Sequence, residues 1–411
     1  MIELGRCHAV NAWEPRRLSD YFEFLKTNTL PRSYLEVSES GIVDIHYGDI
    51  LINYDSCLPI GHNALPCLKD EKHLDNHVDS FLADGDVVFA DTAEDSSAGK
   101  CVELLSIGQR RVLAGLHTIA VRSKVQHGIG YFGFYFNSPS YRKQLLPKMQ
   151  GSKVVAVSKD VLKNSILSVP SLKEEIAIGT LLRKLDNLIA AEKRKLNLLK
   201  QKKTALLRQI FGQKLRFKGY SNHWECRKLG DMCSFRKGQG YSKKDIHDSG
   251  NPLLLYGQMY TNYMTVITST DVYTKPHSHS VYSTGREVVV PASGETREDI
   301  AVASAVLQPG IIYGGDINVL TPADYLDPVF LTLAISGGPA HRQLAERAQG
   351  KTIVHLRNSD IAQVDIQLPE ESEQLRIAGL FIGIDNLIDT ERRKINLLGI
   401  KKKALLQKMF V

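Results

Sequence analysis

Gly128-x-Gly130-x-x-Gly133 has the spacing of a dinucleotide-binding loop, whose backbone amides meet a pyrophosphate at a helix start. It follows a charged loop and opens the aromatic run Tyr131–Phe136, so the strand and helix that this chemistry needs are not evident. Gly350-Lys351-Thr352 ends like a phosphate loop, but Ala345 stands where the first glycine belongs. Asn137-Ser138-Pro139-Ser140 and Asp327-Pro328-Val329-Phe330 half resemble the turn that holds an exocyclic amine in amino-methyltransferases, and no glycine-rich S-adenosylmethionine loop accompanies either. His277 and His279 lie in a Ser-rich turn without convergent acids, which predicts exposure, not metal binding. Cys7, Cys57, Cys67, Cys101, Cys226 and Cys233 contain no Cys-x-x-Cys pair and read as reduced thiols. No nucleophile, base and oxyanion site assemble, so the chain is expected to be non-catalytic, with no metal or cofactor of its own.

With 411 residues the chain is too long for one ordinary core, and its 43% apolar and 24% charged residues are those of a soluble globular protein. Met1–Val10 has no apolar run of signal length and no stretch is long enough to span a bilayer, so a cytoplasmic protein with no membrane partner is expected. A net charge of +7 only hints at a polyanionic partner.

Residues that could act must be held by a repeated frame. Sliding the chain on itself by 199 residues aligns Gln150-Gly151 with Gln349-Gly350, Pro170 with Pro369 and Phe211 with Phe410. Leu181–Phe211 then matches Leu380–Phe410 at 17 of 31 positions. Fainter matches precede the helices: Asn11-Ala12-Trp13-Glu14 with Asn222-His223-Trp224-Glu225, and Tyr47-Gly48 and Asn53-Tyr54 with Tyr256-Gly257 and Asn262-Tyr263. Each Trp is expected to anchor a core. Short β-branched runs predict strands at Gly41–Ile45, Asp86–Ala90, Thr118–Val121 and Lys153–Val157, and at Pro252–Tyr256, Glu287–Val290, Ile317–Leu320 and Thr352–Leu356. One helix before the last strand is expected in each copy, Tyr141–Met149 and Ala340–Ala348.

Ser171-x-x-Glu174 after Pro170 is a capping-box helix start. From it Ile178, Leu182, Leu185, Ile189, Leu196, Leu199, Leu206 and Ile210 form a coiled-coil seam, interrupted at Glu192 and Lys203. The second copy repeats it with Ile377, Phe381, Ile384, Ile388, Ile395, Leu398, Leu405 and Met409, interrupted at Glu391 and Lys402. A parallel pair would set like charges against each other. An antiparallel intrachain pair in which partner numbers sum to 594 sets Glu192 against Lys402 and Lys203 against Glu391, about a pseudo-twofold axis near Asn197. The recognition domains are then expected at opposite ends of the rod; the alternative is a zipper between chains. Lys193-Arg194-Lys195 with Lys200, Lys202 and Lys203, and Arg392-Arg393-Lys394 with Lys401, Lys402 and Lys403, form a basic belt. It reads as a solvated face, a phosphate contact or a dock for an acidic partner.

The repeat, the segments Leu185-Asp186-Asn187-Leu188-Ile189 and Ile384-Asp385-Asn386-Leu387-Ile388, and Val169-Pro170 with Leu368-Pro369 resemble the specificity (S) subunit of type I restriction–modification systems over essentially the full length. Glu373-Gln374 keeps a Glu-Gln pair usual in that family, whereas Glu174-Glu175 departs from it. The resemblance implies an α+β chain of two tandem mostly-β target-recognition domains, 1–155 and 212–354, alternating with spacer helices in conserved regions 156–211 and 355–411. It implies that an interrupted double-stranded DNA target is read, one part per domain. Two adenine-methylating (M) subunits would be recruited through the helices, and ATP-dependent restriction/translocase (R) subunits would join. S-adenosylmethionine, ATP and magnesium would belong to those partners. Base and phosphate contacts need polar and cationic loop side chains, which selects Arg32, Ser33, Tyr34 and Lys100 in the first domain and Lys237, Tyr241, Lys243, Lys244, Ser293, Thr296 and Arg297 in the second. Two rival classes are a bivalent repressor or architectural DNA binder acting without enzyme partners, and a self-contained nuclease or methyltransferase.

Overall fold

The computed structural model describes residues 13–61, 63–73, 80–151, 153–261 and 263–410. Cys7, Asn11, Ala12 and Asn262, used in the sequence comparison, lie outside them. The chain divides into two compact units: the described residues up to Glu192 with those from Ile395 onward, and Lys193–Lys394. Each long helix contributes its two halves to different units.

The first unit is built on a five-stranded sheet of β1 (Phe22–Phe24), β2 (Cys57–Pro59), β3 (Val87–Ala90), β4 (Cys101–Leu105) and β5 (Thr118–Ser123), in the order β1-β5-β3-β4-β2. All neighbours are antiparallel except β2 and β4. A four-stranded sheet, including Val43–Ile45, Leu65–Leu68 and Val112–Ala114, supports it. Helices α1 (Phe132–Asn137), α2 (Pro139–Leu145) and the first half of α3 (Leu172–Phe211) complete the unit.

In the second unit β6 (Cys233–Lys237), β7 (Val266–Ile267), β8 (Glu287–Pro291), β9 (Ser304–Val306) and β10 (Ile317–Pro322) pair in the order β6-β10-β8-β9-β7, again with only the β7–β9 pair parallel. Strand for strand, this is the topology of the first sheet. Helices α4 (Pro328–Gly337) and α5 (Pro339–Arg347) answer α1 and α2, and α6 (Glu371–Met409) answers α3. The start of each copy is clipped to its end by an antiparallel pair, Glu14–Arg17 with Ile166–Val169 and Glu225–Lys228 with Asp365–Leu368.

The repeated Gln-Gly belongs to this frame. Gly151 and Gly350 sit at φ +108° and +138°, where a Cβ would strike the carbonyl of Val154 or Ile353 at under 2 Å. Gln150 and Gln349 each bridge back across this turn, to Ala156 and His355. Gly350-Lys351-Thr352 is therefore a hairpin turn and not a phosphate loop. Asn137-Ser138-Pro139 and Asp327-Pro328 are likewise helix starts. Ser138 accepts the Tyr141 amide at 3.3 Å and Asp327 the Phe330 amide at 2.7 Å. Ser138 thus opens α2 and Asp327 opens α4, and the aromatic run after Gly130 forms α1. Helices α1 and α4 are buried almost all round, so neither shows a helical stripe in sequence.

Trp224 packs against Phe211 and Phe330, and its Nε1 donates to Glu373 at 3.1 Å. Trp13 is half-buried against the first core. Among the described residues all five cysteines are unpaired, and no helix is long and apolar enough to cross a membrane.

Candidate nucleic-acid interface

Because β6 and β8 run alike and β10 runs against them, the residues after Lys237 and Pro291 and those before Ile317 emerge at one end of the second sheet. Backbone bonds knit that end together: Gly238 to Ile317, Gln239 to Tyr313, Gly315 to Tyr241 and Ala292 to Asp316. Lys237, Tyr241, Lys243, Lys244, Ser293, Thr296 and Arg297 all follow from it. The matching end of the first sheet lies after Phe24 and Ala90 and before Thr118 and Cys101, where Arg32, Ser33, Tyr34 and Lys100 are found. The selected residues therefore gather at equivalent ends of two equivalent sheets.

Their surroundings differ sharply. Lys237, Lys243, Lys244 and Arg297 are exposed. Lys243 and Lys244 ride a single 3-10 turn whose Ser242 and Asp245 cap each other's backbone amides. Thr296 caps the helix that carries Arg297, accepting the Asp299 amide at 3.1 Å. Tyr241 and Ser293, expected as exposed groove readers, are buried instead. The Tyr241 hydroxyl bonds Ser280 at 2.5 Å and its ring stacks on His277 at 4.9 Å, while Ser293 meets His355 Nδ1 at 3.0 Å. Their polar atoms are taken by internal partners, so they shape the loops and do not reach outward.

In the first unit Lys100 is half-buried. Its Nζ donates to the Leu51 carbonyl at 3.0 Å, and burial lowers its pKa. Arg32 is held by the buried Asp49 carboxylate. Ser33 is exposed, and its carbonyl accepts Lys69 Nζ at 2.7 Å; Tyr34 is 38% exposed.

His277 and His279, read from the sequence as exposed, are so, and Lys275 and His247, which sequence reasoning passed over, are exposed with them on the two loops that the Thr274 hydroxyl joins by bonding the Asp245 carbonyl at 2.7 Å. With Lys243 and Lys244 they make a cationic surface with imidazoles able to donate or accept. The missing signal was long-range, because residues 241–248 and 273–280 meet only through the fold.

The helices hold the seam as expected: every seam residue of α3 and α6, the four polar interruptions included, is buried or half-buried. They run antiparallel. In the first unit Ile178 and Leu182 of α3 share a core with Phe410, which packs on Tyr131 and Tyr135; in the second Phe211 shares one with Ile377 and Phe381. The register differs from expectation. Lys402 pairs with Asp186 and Lys203 with Asp385, each at 2.5 Å, and Glu391 is held by Lys195. Partner numbers sum to 588 or 586 where 594 was expected, a slip of about one heptad. Such a slip keeps seam facing seam but sets each polar interruption opposite an apolar residue, Glu192 opposite Ile395 and Lys402 opposite Leu185, and the two lysines reach Asp385 and Asp186 beside the seam instead.

In fold the chain is similar to the S subunit of a type I restriction–modification system from M. genitalium, with a TM-score of 0.60 and 12% identity, over 98% of this chain and 97% of that one. A chain from a structure of type I R-M complex assembly and conformational transition gives 0.57 and 17%, over 98% and 99%. In sequence, the type I restriction enzyme MjaVIII specificity subunit of Methanocaldococcus jannaschii is 21% identical over 284 residues. That match spans 64% of this chain and 65% of the relative's own length. The family described as type I restriction modification DNA specificity domain matches residues 11–201 and again 221–399, so that nearly the whole chain is accounted for by two copies, and the chain belongs to this family.

Proposed function

We propose that the chain is the sequence-specific DNA-recognition subunit of a type I restriction–modification complex, reading an interrupted target with one part assigned to each unit. The observation that carries this reading is the pair of identical sheet topologies whose matching ends bear loops of different chemistry. A shared frame with unlike loops suits two unlike half-sites. The target-recognition domains are taken as 1–155 and 212–354, with spacer regions 156–211 and 355–411 setting the gap. Lys237, Lys243, Lys244, Lys275 and Arg297 are assigned to the phosphates of one half-site, with Arg32, Ser33 and Tyr34 on the other. The chain supplies specificity and no catalysis. S-adenosylmethionine, ATP and magnesium act on partner subunits in the cytoplasm.

Recruitment of two methyltransferase subunits has its own support. Away from the seam, α3 exposes Ile176, Leu188 and Leu198, and α6 exposes Leu375, Leu387 and Leu397 at the same repeat positions. Apolar side chains repeated on a solvent face suit partner docking, one copy per partner. The restriction subunits then join the assembled methyltransferase. Mapping methylated adenines in host cells with and without the gene tests the whole reading. One interrupted motif should lose methylation on deletion, and half of it should change when residues 237–300 are exchanged for those of a relative. A methylation map indifferent to both would refute it.

A further inference from the structure

The glycine loop Gly128-x-Gly130-x-x-Gly133 does cradle anions, but they belong to the protein. Gly128 N donates to Glu175 Oε2 at 2.6 Å, Gly130 N to Glu103 Oε1 at 2.5 Å and Gly133 N to Glu103 Oε2 at 2.8 Å. Glu103 comes from β4 and Glu175 from the first turn of α3, and both are fully buried. The glycines are needed for this approach. A Cβ at Gly128 would lie 2.7 Å from the Ile176 amide, one at Gly130 2.6 Å from Arg183, and one at Gly133 2.0 Å from the Ser56 carbonyl. Between the carboxylates sits His127, its side chain only 10% exposed, with Nε2 3.7 Å from Glu103 Oε1 and no hydrogen-bond partner for that nitrogen.

The second unit solves the same joint without a buried Glu–His–Glu cluster. Gln374, at the position of Glu175, accepts the Asp327 amide at 2.9 Å, and Asp327 stands at the position of Gly128. The extra amide hydrogens of Gln374 go to the Tyr325 and Pro369 carbonyls. Leu326 replaces His127, and Ala305, matched through its partners Val288 and Val266, replaces Glu103. Glu103, His127 and Glu175 thus stand where the second unit has the uncharged Ala305, Leu326 and Gln374.

We propose that Glu103, His127 and Glu175 are positioning residues that seat the first unit's glycine loop on its long helix, and that this seating loosens as His127 gives up its proton. With His127 protonated, two buried carboxylates share one cation and three amides. Without it they keep only the three amides and, on Glu175, the Tyr21 hydroxyl, and two negative charges are left together in a buried site, which is costly. The other charged and titratable groups facing the cluster are Tyr21, Arg16, Tyr131, Glu174, Arg183, Cys57 and Cys101, with Asp186 beyond Cys57. Asp86 below it is already paired with Arg122. Burial opposes charge on His127, but Glu103 and Glu175 hold it above the usual imidazole range; burial likewise raises Glu175, against the pull of the Gly128 amide and His127.

Hydrogen–deuterium exchange of the full chain from pH 6 to 9, corrected for intrinsic rates, tests this whatever the unit binds. Protection at 128–133 should fall about tenfold or more as pH rises, while 325–333 in the second unit stays level and reports that the chain is folded. Glu175→Gln should keep protection at every pH and abolish the fall. His127→Leu should lose protection throughout, and His127→Leu with Glu175→Gln should recover it. A level wild-type profile, or a Glu175→Gln profile that follows wild type, would overturn the proposal.

Discussion

At matched places in the two units, one carries ions and the other hydrocarbon. Glu103 and His127 are answered by Ala305 and Leu326; Asp44, counting back from the shared Tyr-Gly, is answered by Leu253. The imbalance is not one-sided. In the second unit Glu373 is fully buried, bonded by Arg216 at 3.0 and 2.6 Å and by Trp224, whereas its counterpart Glu174 is exposed. Outside the helices, segment 1–155 holds 16 Lys/Arg against 19 Asp/Glu, and 212–354 holds 15 against 13. One strand order tolerates both sets. It is held by apolar strands and register, while buried charges need only local partners and are free to diverge between copies.

The largest contrast is expected at the helix starts. Glu373→Ala strands the Arg216 and Trp224 donors and should cost about 3–5 kcal/mol in urea unfolding of the second unit, whereas Glu174→Ala should stay within about 0.5 kcal/mol. Comparable losses would remove the asymmetry.

Asp44 comes next. Burial is the main cause that pushes its carboxyl up to about 6, and one oxygen lacks a partner while the other accepts from Asn28 at 2.5 Å. A folded pKa above the unfolded value favours the folded state at low pH. That contribution is full below about pH 4 and is lost as pH rises through 6. Asp44→Asn should therefore stabilise the first unit by about 2–3 kcal/mol at pH 8, and the gain should vanish near pH 4. Thermal unfolding at both pH values checks this, with a pH-independent difference as the contrary outcome.

The loop comparison is sharpened by salt. Replacing Lys243 and Lys244 with Ser should flatten the salt dependence of DNA binding by about one unit of slope per lysine. Lys100→Ser should leave that slope unchanged, because its ammonium is held by Leu51. An equal effect from Lys100 would return it to the interface.

The smallest effect separates the helix registers. A double-mutant cycle for Lys203 and Asp385 should show about 1 kcal/mol of coupling, and one for Lys203 and Glu391 close to none. The reverse would restore the register summing to 594.

Much of this was open to reading in one dimension. The 199-residue repeat, the helix start at Ser171 (whose Oγ accepts the Glu174 amide at 3.4 Å) and the seam are local or periodic signals. The buried strands came within a few residues of their bounds. Helices α1 and α4 were missed because burial on all sides erases the stripe that marks a helix. Tyr241 and Ser293 were misjudged because a loop residue's burial depends on what covers it, here Ser280, His277 and His355.

By itself the sequence determined that one unit is written twice, that its long helices pair antiparallel, and to which family it belongs. The repeat and the family follow from repeated residues, and the direction of pairing from the like charges that a parallel pair would oppose; none of these needs knowledge of distant contacts. Only the tertiary structure decided the helix register, because the seam lysines pair with Asp186 and Asp385 beside the seam, partners that emerge only once the helix ends dock in their cores. The structure likewise turned a nucleotide-like glycine string into a seat for the protein's own carboxylates. Amides held in a tight loop attract whatever anion the fold brings to them, and no local spacing says which.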